Sequence, residues 1–261
     1  MGIVNVTPDS FSDGGRFLEP GRAIDHGRSL VEEGADILDV GGESTRPGAS
    51  PVSLTEELDR VMPVVEALAD RFPVPVSIDT SKPAVMEAAV ACGAAMINDV
   101  NGLRAEGAMA TAAASGALVC LMHMQGKPRT MQDDPRYEDV VSDICDFFRA
   151  RLNECQAAGL GKERIVLDPG FGFGKTLDHN LELLRRFSEL TDLGCPVLAG
   201  LSRKSMLGTL TGGRPAEQRV HASVAAALLA VAGGAAVVRV HDVAATVDAL
   251  AVFNAVQDQN Q

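Results

Sequence analysis

The sequence predicts an α/β fold, a (β/α)8 TIM barrel with residues 1–261 forming one domain. Three observations carry this expectation. Eight short apolar runs, each ending in or followed by a polar or charged residue, recur about every 33 residues along the 261-residue chain. Helical patterns fill the intervals between them. The connections are lopsided. Turns from helix to strand are short and carry glycine, as at Gly34, Gly93, Gly116, Gly159, Gly194 and Gly233-Gly234, whereas segments leaving a strand are long and polar, as at 7–17, 41–53, 124–137 and 169–176. Loop length gathered on one face marks the working face of a barrel.

The runs are, in order, GIVN (2–5), DILDVGGESTR (36–46), VSID (76–79), MIND (96–99), LVCLMH (118–123), IVLD (165–168), VLAGLSRK (197–204) and VVRVH (237–241). Cores of four to six residues rich in Val and Ile read as strands buried on both faces, as in a parallel sheet. The intervals predict helices over 20–33, 54–71, a stretch opening at Ser81 with Pro83 in its first turn, 106–115, 138–158, 177–190, 204–210 continuing through 215–232, and 243–257. Ser53 with Glu56 forms a capping box ahead of the second helix. Ser81 is expected to cap the third, with Pro83 pre-set for its first turn.

Composition narrows the function. Apolar residues make up 46% of the chain, enough for a large core. A formal charge of −12 argues against nucleic acid and anionic membrane as partners. No apolar run approaches the roughly 18 residues of a membrane span. The five cysteines are odd in number and lack C-x-x-C spacing, so they read as reduced structural thiols of a cytoplasmic protein. The chain starts almost inside its first strand, which suggests a missing upstream segment.

Strand ends should converge on one mouth, so their polar tips are the candidate site. Asp79, Asn98 and Asp168 suit a flat heterocycle that offers an amino group beside a ring N–H, because a carboxylate accepts both hydrogens and an amide matches a donor–acceptor pair. Ser202-Arg203-Lys204-Ser205 falls where a strand hands over to a helix. Two cations in a first helical turn oppose the macrodipole, which makes sense if an anion binds the same amides. Lys204 with Arg46, Arg239 and His241 makes a plausible phosphate cradle. Asp39 and Asp99 read as structural polar groups. The stretch from Gly170 to Thr176 misses the P-loop pattern because Pro169 stands where that pattern needs glycine. Its glycines instead suit a loop that brings backbone and Phe173 close to a flat ligand. The five histidines show neither dense metal-ligand spacing nor a G-x-S-x-G elbow beside them.

Longer motifs name a family. Residues 5–14 (NVTPDSFSDG) and 41–48 (GGESTRPG) resemble the two signature loops of the dihydropteroate synthases. Ile78-Asp79-Thr80, Asn98-Asp99, Leu121-Met122-His123-Met124, residues 168–175 (DPGFGFGK), Ser202-Arg203-Lys204-Ser205 and Arg239-Val240-His241-Asp242 are similar to the remaining motifs, in order and along the whole chain. The resemblance implies an enzyme of folate biosynthesis that joins a dihydropterin pyrophosphate to p-aminobenzoate and releases pyrophosphate. It implies Asp79, Asn98, Asp168 and Lys204 on the pterin, with Met122 and Gly200 in the same substrate pocket. Thr45, Arg46, Arg239 and His241 would hold the pyrophosphate, and Asn5 would help hold Mg²⁺. Phe11, Pro47, Phe173 and Ser205 would line the p-aminobenzoate site. Asp79, Lys204, Arg46 and Asp13 form the expected catalytic set, with Asp13 and Arg46 on mobile loops. A homodimer through barrel helices is also implied. Two rivals remain at this point: a pterin-binding methyltransferase barrel acting on methyl-folates, which needs no pyrophosphate cradle, and a non-enzymatic binding barrel, which needs no filled strand tips.

Overall fold

The computed structural model describes residues 1–7, 20–44, 50–126 and 130–258. Strands and helices alternate through it: β1 (Gly2–Asn5), α1 (Pro20–Glu32), β2 (Leu38–Gly41), α2 (Leu54–Arg71), β3 (Val76–Asp79), α3 (Pro83–Ala91), β4 (Met96–Asp99), α4 (Ala108–Ser115), β5 (Leu118–Met122), α5 (Val140–Ala157), β6 (Ile165–Asp168), α6 (Leu177–Arg185), α7 (Ser188–Thr191), β7 (Leu198–Ala199), α8 (Ser205–Leu210), α9 (Val220–Ala232), β8 (Val237–Val238) and α10 (Val243–Asp258). Strands β1 to β6 pair in sequence order, all parallel, and β7 pairs with β8 in the same sense. Single parallel bridges, Leu167 to Val197 and Gly2 to Val240, join the two sheets. The ring therefore closes as 1-2-3-4-5-6-7-8-1, the TIM barrel that the spacing predicted. The buried N-terminal amine of Met1 donates to the Val238 carbonyl at 3.0 Å across that last seam.

Local signals hold, with four differences. The Ser53 side chain accepts from the Glu56 amide and so caps α2, while the Glu56 carboxylate pairs with Arg60. Ser81 does not cap α3. Lys82 occupies the cap position without a side-chain capping bond, and the Ser81 hydroxyl donates to Asp99 Oδ1, because that buried carboxylate is the stronger acceptor. The expected single helix over 177–190 breaks after Arg185 and resumes as the four-residue α7. The stretch after β7 is also interrupted: α8 ends at Leu210, a 3₁₀ turn covers Ala216–Gln218, and α9 starts at Val220. Glycines at 212 and 213 with φ of 73° and 87° separate the pieces.

Strand alternation and register decide what faces the barrel interior. Asp39 sits opposite Ser77, Asp79 opposite Asn98, Asn98 opposite Cys120 and Met122 opposite Asp168. The lower interior is apolar, with Met96, Cys120, Val166 and Leu198 packed together. One level up, the even strands and the end of β8 contribute Asp39, Asn98, Asp168 and Arg239. A barrel interior is filled in layers drawn from alternate strands, and here that layer is wholly polar.

Candidate active site

The polar layer is internally connected. Arg239 donates from Nε to Asp39 Oδ2 at 2.6 Å and from an Nη to Asp79 Oδ2 at 2.8 Å. Asn98 Nδ2 donates to the same Asp39 oxygen at 3.1 Å. That bond turns the Asn98 amide oxygen away from Asp39, so it remains available as an acceptor. Asp168, buried at the end of β6, accepts the Gly170 amide at 2.8 Å. Two interior glycines keep room beside these groups. A Cβ on Gly41 would stand 3.5 Å from Asp79 Cβ, and one on Gly200 would stand 3.8 Å from Asp168 Oδ2.

Above this layer stands Lys204, at the cap position of α8, its ammonium 4.1 Å from the centre of the Phe173 ring. Phe173 also packs with Met122, Met124, Met131 and Val100 in an apolar wall. A face of polarizable methionine and phenylalanine opposite a row of carboxylates and amides suits a flat, polar aromatic ligand.

Burial dominates the electrostatics. It pushes the Asp79 carboxyl up to about 7, with Arg239 pulling it back and Asp39, Asp99 and Glu57 pushing further. Burial also raises Asp168, against the Gly170 amide and the positive charges of Lys204, Arg239 and Lys175. It lowers Lys204 to about 8, partly offset by Asp168. Burial alone would lower Arg239 too, but Asp39 and Asp79 outweigh it and hold the guanidinium charged.

Several expectations need amending. Asp39, read as structural, has its place within the polar layer: it points into the barrel and ties Asn98 to Arg239. The alternation D-I-L-D-V-G places it in phase with Gly41, and that was the available signal. Arg203 and Lys204 do not lie in a first helical turn. Both precede the six-residue α8, and Arg203, at φ 59°, forks onto Asp242 and not into the mouth. Arg239 commits two nitrogens to carboxylates one level below the rim, so it serves Asp79 directly. His241 lies beside Ser202, whose hydroxyl accepts the His241 amide at 3.1 Å and stands 3.0 Å from Nδ1. Ser205 opens α8 exposed. Asn5 ends β1, half-buried and opposite Gly41. Asp99 is structural as expected: it accepts from Ser81, Asn101 and Leu103. Phe11, Asp13, Thr45, Arg46 and Pro47 lie outside the described residues. Sequence reasoning gave no role to Lys175, Tyr137 or Asn180, which hold the loop after β6. Lys175 to His123 and Tyr137 to Gly174 are long-range contacts, and Asn180 acts within its own loop and helix.

Fold and site together define a barrel enzyme that receives a flat heteroaromatic ligand at the carboxyl ends of its strands. The family described as pterin binding enzyme matches residues 1–241. A dihydropteroate synthase of Escherichia coli strain K12 is 51% identical over 98% of this chain and 90% of its own length. The Yersinia pestis dihydropteroate synthase, solved with a sulfonamide drug complex, superposes with a TM-score of 0.95 at 52% identity, covering 98% of this chain and 93% of that one. The Xanthomonas albilineans enzyme in complex with 7,8-dihydropteroate gives 0.90 at 52% identity, covering 98% and 92%. The chain belongs to the pterin-binding enzyme family, among the dihydropteroate synthases.

Proposed function

We infer that this barrel carries out the dihydropteroate synthase reaction: it joins 6-hydroxymethyl-7,8-dihydropterin diphosphate to p-aminobenzoate and releases pyrophosphate, giving 7,8-dihydropteroate. The observation that carries the reading is the polar layer of Asp39, Asn98, Asp168 and Arg239 with Asp79 above it, closed on one side by Lys204 over Phe173. It supports the pterin roles of Asp79, Asn98, Asp168 and Lys204. The amino edge of the pterin suits Asp168 and the amide oxygen of Asn98, and Gly200 and Met122 leave it room and an apolar face. A methyltransferase would use a similar pterin pocket. The relatives' names and the cationic residues of the mouth favour the synthase.

The chemistry asks little proton transfer of the protein. The bond from the pterin methylene to the diphosphate breaks, and cations at the mouth balance the charge growing on the leaving group. Thr45, Arg46 and His241 belong to this set, with Arg239 below them. The electron-rich pterin spreads the positive charge left on the methylene, and ionised Asp79 supports it from nearby. The neutral aniline nitrogen then attacks and loses its proton afterwards, so no strong base is required. Phe11, Pro47, Phe173 and Ser205 would line the p-aminobenzoate side, with Asp13 and Arg46 on the loops that exclude water.

Asn5 brings one amide oxygen to the rim. That fits Mg²⁺, which takes one or two protein ligands and completes its shell with substrate phosphates and water. When bound, the ion would supply further neutralisation of the diphosphate. Among the described residues no cluster of three or more His, Cys, Asp or Glu could hold a metal by itself.

The same reading takes residues 1–261 as one domain, acting in the cytoplasm as a homodimer. Leu210, Leu229 and Val252 stand exposed on α8, α9 and α10, where a second copy would cover them. No helix among the described residues is long and apolar enough to cross a membrane. Incubating purified protein with the pterin diphosphate, p-aminobenzoate and Mg²⁺ tests the function. Pyrophosphate release that needs both substrates supports it, and methyl transfer from a methyl-folate without pyrophosphate would reverse it.

A further inference from the structure

The loop between β6 and α6 is held from inside by a lysine that the proposed chemistry does not use. Lys175 is only 3% exposed. Its ammonium donates to the Gly170 carbonyl at 2.9 Å and the Phe173 carbonyl at 3.1 Å, and it stands 3.1 Å from His123 Nδ1. Burial pulls the Lys175 amine down to about 7, against the charge of Asp168 and with that of Lys204. In its charged form it only donates, so Nδ1 then accepts and His123 carries its proton on Nε2. Burial first, then the charges of Lys175 and Arg104, hold His123 down to about 2. The Tyr137 ring centre lies 6.0 Å from the ammonium, and among the described residues Lys175 makes no ion pair.

The loop has little freedom elsewhere. Gly170, Gly172 and Gly174 all take positive φ, and a Cβ on Gly170 would collide with the His123 carbonyl oxygen. The Tyr137 hydroxyl donates to the Gly174 carbonyl at 2.8 Å, and Asn180 Oδ1 accepts the Gly172 amide at 2.7 Å. The residue these contacts surround is Phe173, whose ring faces the Lys204 ammonium. A buried lysine without a carboxylate is costly. A methionine of similar length has no N–H to offer the two carbonyls.

We infer that Lys175 is a positioning residue for the p-aminobenzoate half of the site: by binding Gly170, Phe173 and His123 together, it sets where the Phe173 ring stands against the Lys204 ammonium. This rests on the synthase reading above. The lysine touches neither substrate. It acts through Phe173, so its loss should weaken p-aminobenzoate capture far more than pterin capture.

The test is steady-state turnover of the full-length protein with each substrate varied in turn. Lys175→Met should raise KM for p-aminobenzoate on the order of tenfold, the scale expected when a positioning contact is lost. KM for the pterin diphosphate should stay within twofold. His123→Phe, which removes one of the three acceptors, should shift the same KM in the same direction by less, and it carries the test if Lys175→Met does not fold. Equal shifts in both KM values, or none, overturn the inference. Wild-type protein without turnover would sink the synthase reading and this inference with it, whereas wild-type turnover with an unchanged p-aminobenzoate KM in the variants sinks the inference alone.

Discussion

Two cations in this molecule each bridge two carboxylates, and the two arrangements do different work. Lys82, at the start of α3, binds Glu43 and Glu57. Every remaining demand there is met: Thr80 donates to the other Glu57 oxygen at 2.5 Å, and the Val52 amide donates to the other Glu43 oxygen at 3.3 Å. Burial alone would lower Lys82, but its bonds to the two glutamates raise it. The network is closed and ties the base of the segment after β2 to β3 and α2. Arg239 bridges Asp39 and Asp79 inside the barrel, and that network is open. Among the described residues Asp39 Oδ1 is buried without a hydrogen-bond partner, as are Ser77 Oγ beside it in register and, on α5, Arg151 Nε, and the Asp79 carboxyl is pushed up to about 7. Similar chemistry thus forms a filled network in one place and leaves acceptor capacity over in the other, and that spare capacity supports the proposed site at the barrel mouth.

The largest effect that could break this contrast is at Asp168. Asp168→Asn swaps an acceptor for a donor against the pterin edge, and kcat/KM should fall about 100-fold or more, with the fold retained by circular dichroism. Activity near that of the wild type would mean that the open layer is not the pterin site.

Second is pH. Asp79 at about 7 and Lys204 at about 8 should give kcat/KM a narrow bell, with an acid limb near 7 and an alkaline limb near 8. Asp79→Asn should remove the acid limb. Stability carries the same mark. The folded protein keeps the Asp79 proton up to about pH 7, whereas the unfolded chain releases it near the ordinary aspartate value of 3.8. The folded state therefore binds more protons in between, and this residue's contribution to stability declines as pH rises from about 4 to 7 and then levels off. Denaturant titrations across that range should show the slope in the wild type and lose it in Asp79→Asn.

The smallest effect on chemistry belongs to the closed network. Lys82→Met leaves Glu57 buried without its cation. It should cost stability at the lower end of about 3–5 kcal/mol, because Lys82 keeps some solvent contact. Pterin affinity, measured by calorimetry, should change less than twofold. A large loss of affinity without a loss of stability would invert the comparison.

The chain alone determined the barrel, because alternating buried strands and amphipathic helices are local patterns with their own periods, and a parallel sheet of that length closes. It also determined that Asp79, Asn98 and Asp168 share one end, since each follows an apolar run whose direction is fixed by the repeat. Sequence did not show that Asp39 joins them, because its neighbours Arg239 and Asn98 are 200 and 59 residues away and meet it only through strand register. Nor did it show that Ser81 turns from its helix to Asp99, that Arg203 turns from the mouth to Asp242, or that Lys175 reaches back under its own loop to His123. Those choices depend on which partner stands within about 3 Å, a distance set by closure of the ring and not by residues adjacent in the chain.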